Sequence, residues 1–234
     1  MIEGLKKLMS YFWDIQIDYR HSEINGDLIV FLVKGRYQLC TANAIYSFET
    51  KYDNFGNVFE DYLDLDKIQG NRVLVLGLGL GSVPQILDKY RTRKWNFVAV
   101  EIDPEVCELA SIYGYPLISS PIQTHITDAE IFVNTCEDKF DIICLDLFID
   151  DEIPQNCKSL EFLVSIKNIL SDNGVVVANT LAFSDRHKEE SMLYFKEKFK
   201  ATFNKSCLIH THKNYMLISD EMLIFEGISK EVIV

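Results

Sequence analysis

The chain has 234 residues, 48% hydrophobic and 25% charged, with a formal net charge of -12. That is an ordinary globular balance, long enough to bury a core without disulfides or a structural metal. The negative charge argues against a nucleic-acid binder, which needs a basic face; it suits a cationic ligand such as a polyamine, and it also simply keeps a protein soluble.

No apolar run reaches the ~20 residues that span a bilayer, so no membrane contact is expected. The six cysteines form no CxxC pair, which removes zinc-finger and thioredoxin patterns. No signal-peptide pattern is evident, and the expected setting is a reducing cytoplasm.

In chain order, residues 2–13 read as an amphipathic helix, with Ile2, Leu5, Leu8 and Phe12 at helical spacing. Asn25-Gly26 is a hairpin signal ahead of the apolar run Leu28 to Val33 and of Tyr37 to Cys40. Residues 26–50 are therefore expected to form a small β-rich unit of two to four strands, followed by a helix over 55–67. The expected division is an N-terminal unit over 1–69 and a second, larger domain over 70–234.

From residue 70 the pattern changes. Val73-Leu74-Val75-Leu76 is the uninterrupted apolar run of a strand buried on both faces of a parallel sheet. Similar runs follow at 97–100, 142–145 and 175–178, separated by helical stretches at 83–92, 104–113, 129–136 and 158–171. A weaker strand is expected over 117–123. Strands alternating with helices imply an α/β fold with right-handed crossovers. The runs 206–211 and 215–219 are too close for a crossover and must pair antiparallel. The expected fold is thus a Rossmann-like, class I methyltransferase fold: a mostly parallel sheet ending in an antiparallel hairpin.

Four motifs carry chemistry. Gly77, Gly79 and Gly81 fit a GxGxG loop between the first parallel strand and a helix, where glycine allows a tight turn and close ligand approach. A dinucleotide GxGxxG fingerprint would need glycine at Ser82. Glu101 ends the second strand, where an acid can accept hydrogen bonds from ribose hydroxyls. Asp103-Pro104 reads as a helix cap. Asp128-Ala129 is open between capping a helix and accepting an adenine amino group. Asp146 ends the fourth strand on a rigid support, ahead of the acidic run Asp150-Asp151-Glu152, which reads either as a solvated loop or as part of the site.

These motifs, in this order, resemble the spermidine-synthase family of polyamine aminopropyltransferases, most closely in Glu101 to Val106 and in Asp146 followed by Asp151-Glu152-Ile153-Pro154. The resemblance implies a transferase in which Gly77, Gly79, Gly81, Glu101, Asp128 and Ala129 hold decarboxylated S-adenosylmethionine or S-adenosylmethionine itself. It makes Asp146 the catalytic base toward a small-molecule acceptor, a polyamine or another amine, and it implies pairing into a homodimer. Asp150, Asp151 and Tyr46 are candidate acceptor-binding residues, Tyr46 standing for a tyrosine of the family's N-terminal unit.

Two positions depart from the family. Leu80 replaces an aspartate of the glycine loop, and Ile149 replaces a second aspartate after the fourth strand. The alternatives left open are a small-molecule methyltransferase and a non-catalytic adenosyl-binding relative. No metal site is expected.

Overall fold

A computed structural model describes residues 2–89, 93–149 and 152–227. Helix α1 (Ile2–Met9) leads into a four-stranded antiparallel sheet of β1 (Ile15–Ser22), β2 (Gly26–Val33), β3 (Arg36–Cys40) and β4 (Ile45–Ser47), in that order. The expected hairpin forms between β1 and β2, with Gly26 at φ +68°. The helix expected over 55–67 is broken. It consists of α2 (Asp53–Asn57), a π turn over Val58–Tyr62 and a 3-10 turn over Leu65–Lys67. Leu63 is pulled into an extended conformation where it bridges Ile224, and Asp64 N–H bonds to the Leu223 carbonyl. Tertiary pairing overrides helical spacing there.

The second sheet has seven strands: β5 (Arg72–Leu76), β6 (Asn96–Glu101), β7 (Ile122–Ile126), β8 (Phe140–Leu145), β9 (Leu170–Leu181), β10 (Cys207–Thr211) and β11 (Asn214–Ile218). Their order is β10-β11-β9-β8-β5-β6-β7; β5 to β9 run parallel, and β10 and β11 close the edge antiparallel. This is the expected topology. The weak strand expected at 117–123 lies further on, because Tyr115–Leu117 forms a 3-10 turn and strand pairing begins beyond Pro121, whose carbonyl accepts from Phe97 N–H.

Alternate residues of the central strands feed opposite cores. Val73, Val75, Ile142, Cys144, Val175 and Val177 pack with α2 and α3 (Ser82–Lys89). Leu74, Leu76, Ile143, Leu145 and Val176 pack on the other face with α5 (Ala129–Thr135), α6 (Leu160–Asn168) and the aromatic run Phe195, Phe199 and Phe203. Each such buried side chain contributes about 1.5–3 kcal/mol. The helix α7 (Asp185–Tyr194) follows β9. The end of the helix expected over 83–92 lies outside the described residues.

Asp103 fixes the small sheet to the large one. Its Oδ1 caps α4 (Pro104–Tyr113) by accepting from Glu105 N–H at 2.9 Å. Its Oδ2 accepts from Ser22 Oγ and, at 2.6 Å, from Asn25 Nδ2. The carboxylate is fully buried, so these donors replace the water it has lost. Leu80 joins the same interface. It is 1% exposed and packs with Leu28, Val30 and Leu39 of the small sheet and Val106 and Leu109 of α4. None of the described helices is long and apolar enough to cross a membrane.

Candidate active site

Parallel strands present their carboxyl ends on one edge, and ligands of open α/β sheets bind there. A cavity of about 1210 Å³ opens at that edge, with the small sheet as its other wall. Gly77, at φ +88°, lets the loop pass β8: a Cβ there would lie 2.0 Å from the Asp146 carbonyl oxygen. Gly79, at φ +52°, lies against the small sheet, where a Cβ would meet the Tyr46 carbonyl oxygen at 3.0 Å. The Ser47 and Ser82 hydroxyls, 2.7 Å apart, tie that sheet to the start of α3. Both Gly77 and Gly79 line the cavity. Gly81 does not; it is buried, with Ile118 nearest its missing side chain, so its part is in shaping the loop.

Glu101 lines the cavity at the end of β6. Its Oε2 accepts from Leu78 N–H at 2.9 Å, and Oε1 from Ile102 N–H at 3.0 Å and Asp103 N–H at 3.2 Å. Burial pushes its carboxyl above the ordinary range, and the backbone donors oppose that shift. Asp128 and Ala129 line the same end. Asp128 caps α5 through Oδ1, which accepts from Glu130 N–H at 2.7 Å and Ile131 N–H at 3.2 Å. One carboxylate oxygen thus does the capping while the residue still borders the cavity.

Asp146 sits in the middle. Its Oδ1 accepts from Asn179 Nδ2 at 2.9 Å and from the Tyr52 hydroxyl at 3.1 Å. Asn179 is oriented in turn by Asn214, whose Nδ2 donates to Asn179 Oδ1 at 2.7 Å. Burial raises the Asp146 carboxyl to about 6; the Asn179 and Tyr52 bonds pull against it, and the Glu101 charge adds to it. A carboxyl tuned close to neutrality is suited to accept a proton and release it again.

Tyr46, the candidate tyrosine, lines the cavity, but its hydroxyl donates to Asn25 Oδ1 at 2.8 Å and reaches the Phe148 carbonyl at 3.5 Å. The phenol that meets Asp146 is Tyr52, which nothing in the sequence pattern singles out. Asp150 and Asp151 lie outside the described residues. Ile149 lines the cavity, whereas Leu80 is sealed in the core away from it. Cys157 also borders the cavity, but burial first, then the nearby Asp128 and Glu130, push its thiol up to about 12, so it is no thiolate nucleophile. His212, which also lines the cavity, sits in the β10–β11 turn, while His210 lies on β10. The described residues contain no group of three or more His, Cys, Asp or Glu side chains able to hold a metal ion.

The parallel sheet with its antiparallel edge, and a glycine loop and two strand-end acids on one rim, define a Rossmann-like α/β protein of the class I methyltransferase type. Residues 63–220 match the family profile of the spermine/spermidine synthase domain, and the chain belongs to that family. It is 37% identical over 126 residues to a polyamine aminopropyltransferase of Vibrio vulnificus (strain CMCP6), covering 53% of this chain and 42% of the relative. The chain spans less than half the length of the curated relatives it matches.

Solved structures agree on the fold. A probable spermidine synthase from Corynebacterium glutamicum ATCC 13032 superposes with a TM-score of 0.68 at 18% identity, covering 92% of this chain and 83% of that one. Human methyltransferase-like protein 13, solved with SAH, gives a TM-score of 0.55 at 24% identity over 73% of this chain and 81% of that one.

Proposed function

We propose that this protein transfers an alkyl group from an adenosyl sulfonium donor to the nitrogen of a small-molecule acceptor, with Asp146 as the base. The observation that carries this reading is the position of Asp146. It lines one cavity with Gly77, Gly79, Glu101, Asp128 and Ala129, and the strand order sets it between that end and the β9–β11 end.

The glycine loop leaves room for a ligand backbone-close, and Glu101 and Asp128 offer acceptors suited to ribose hydroxyls and an adenine amino group. A sulfonium donor supplies an electrophilic carbon whose bond to sulfur breaks with its electron pair left on sulfur, so no group need protonate the leaving atom. Asp146 takes the proton that an acceptor ammonium must lose before its nitrogen can attack. Tyr52 and Asn179 fix the carboxylate through Oδ1. In this reading residues 1–69 form the unit that walls the mouth, and residues 70–234 form the adenosyl-binding domain.

Membership of the family favours decarboxylated S-adenosylmethionine as donor. A second reading, methyl transfer from intact S-adenosylmethionine, is favoured by the burial of Leu80 in the core, since no charge stands there to pair with an aminopropyl ammonium. Incubating the protein with each donor and a panel of amines, and following adenosyl thioether release, tests both. Amine-dependent release with either donor that is lost in Asp146→Asn supports transfer with Asp146 as base. Release that persists in Asp146→Asn removes that role, and no release with any amine counts against the activity.

A further inference from the structure

The strand order separates the cavity into two ends. Glu101 and Asp128 follow β6 and β7, on one side of Asp146. On the other side lie β9 and β11 and the tip of the β10–β11 hairpin. Among the described residues the cavity wall carries four cations: Lys213 at that tip, and Lys34, Arg36 and Lys51 on the small-sheet side. They come from three separate segments of a chain whose formal net charge is -12. Among the described residues no ion pair engages Lys34, Lys51 or Lys213, while Arg36 is within 4.0 Å of Glu49. Among the described residues the acids lining the cavity are Asp53, Glu101, Asp128 and Asp146, and of these Asp53 alone comes from the small-sheet side.

The backbone gives a second, independent observation. Among the described residues, the non-glycine positions with positive φ are Lys34 (+48°), Glu49 (+44°) and His212 (+40°). Lys34 and His212 occupy two-residue hairpin turns that Asn or Gly would form at lower cost, and both line this cavity. Glu49 holds Arg36. Left-handed backbone on such residues is costly and clusters where a site needs a particular side chain.

We propose that the acceptor is an amino carboxylate rather than a polycation, its carboxylate held at the mouth by Lys34, Arg36, Lys51 and Lys213 and its amine turned toward Asp146. This rests on the transferase reading above. A zwitterion satisfies both the base and the cationic mouth. A linear diamine would bring its second ammonium against Lys34, Lys51 and Lys213, and Leu80 and Ile149 carry no acid to offset them. The alkylation itself is unchanged: the acceptor nitrogen gives a proton to Asp146 and forms its new bond to carbon as the carbon–sulfur bond breaks, its electron pair remaining on sulfur.

The test compares matched pairs by calorimetry on protein saturated with 5′-methylthioadenosine: lysine against 1,5-diaminopentane, and ornithine against 1,4-diaminobutane. The expected result is at least tenfold tighter binding of the amino acids. The preference should be lost in Lys34→Gln/Lys51→Gln/Lys213→Gln, while 5′-methylthioadenosine affinity and melting temperature stay unchanged. Tighter binding of the diamines, binding of neither class, or a preference that survives the triple substitution overturns the proposal. So does a triple variant that weakens intact S-adenosylmethionine but not the amino acids, because the anion at the mouth then belongs to the donor. If 5′-methylthioadenosine itself does not bind, it is the parent reading that fails.

Discussion

The phenol oxygen of Tyr52 lies 3.1 Å from Oδ1 of Asp146, a residue 94 positions further along the chain. The contact joins the segment just before α2 to the carboxyl end of β8, so the wall contributed by the first 60 residues takes part in setting the state of the carboxylate in the cavity. Burial and the Asp146 charge push the Tyr52 phenol well above its ordinary value, so Tyr52 remains a donor throughout the neutral range.

Asp146 costs stability where it is ionised. Its carboxyl rises from 3.8 to about 6 on folding, so the native state holds the proton more tightly than the unfolded chain. Stability therefore falls as pH rises through this window and stays lower above it. The span corresponds to at most about 3 kcal/mol. Asp146→Asn should raise the melting temperature at pH 8, change it little at pH 4, and abolish transfer. Melting curves at the two pH values check the sign.

Tyr52→Phe removes a donor that favours the charged carboxylate, at a cost of about 1.5–3 kcal/mol in that interaction. The ring still stacks near Phe55, 6.3 Å between centroids, so the fold should survive. The Asp146 carboxyl should then titrate above 6, moving the acidic limb of the rate profile to higher pH. A pH–rate profile of the variant beside the native protein measures that displacement.

Two glycines should respond differently to alanine. At Gly77 the new Cβ would meet backbone 2.0 Å away, whereas at Gly26, with a similar positive φ, nothing lies within 4 Å. Gly26→Ala should cost about 1 kcal/mol through backbone conformation alone. Gly77→Ala should cost clearly more and displace the β5–α3 loop. Urea unfolding of the pair separates the two costs.

Restoring the family's aspartate at position 80 should not restore polyamine recognition. Leu80 is packed between the small sheet and α4, and a carboxylate placed there would be buried without a partner, which costs several kcal/mol. Leu80→Asp should be strongly destabilised, and circular dichroism with thermal melting shows it directly.

Much of this was legible in the residues. The uninterrupted apolar run at 73–76 reads as a central strand because both its faces are buried, and Asp103-Pro104 starts α4 at the residue that capping chemistry selects. Gly77, Glu101 and Asp146 are legible because each directly follows or ends a strand whose apolar text is unmistakable. Strand β1 is not, because its polar residues face α4: Asp18 accepts from the Tyr113 hydroxyl at 2.9 Å and Arg20 pairs with Glu108 at 3.2 Å. Helix α7 is nearly all polar, with Ser191 its one buried residue, so it has no apolar stripe to read. Tyr52, Lys34 and Lys213 reach the cavity through tertiary folding of loops and hairpin tips, and no local spacing encodes that.

The central claim is that the Glu101 end of the cavity holds an adenosyl ligand. Calorimetric titration of decarboxylated S-adenosylmethionine and of S-adenosylmethionine into the native protein and into Glu101→Gln tests it most directly, with melting temperatures confirming that the variant is folded. The account predicts one site per chain for at least one of the two ligands, and affinity at least tenfold weaker in the variant. Equal affinity in a folded Glu101→Gln protein, or no binding of either ligand to the native chain, would contradict it.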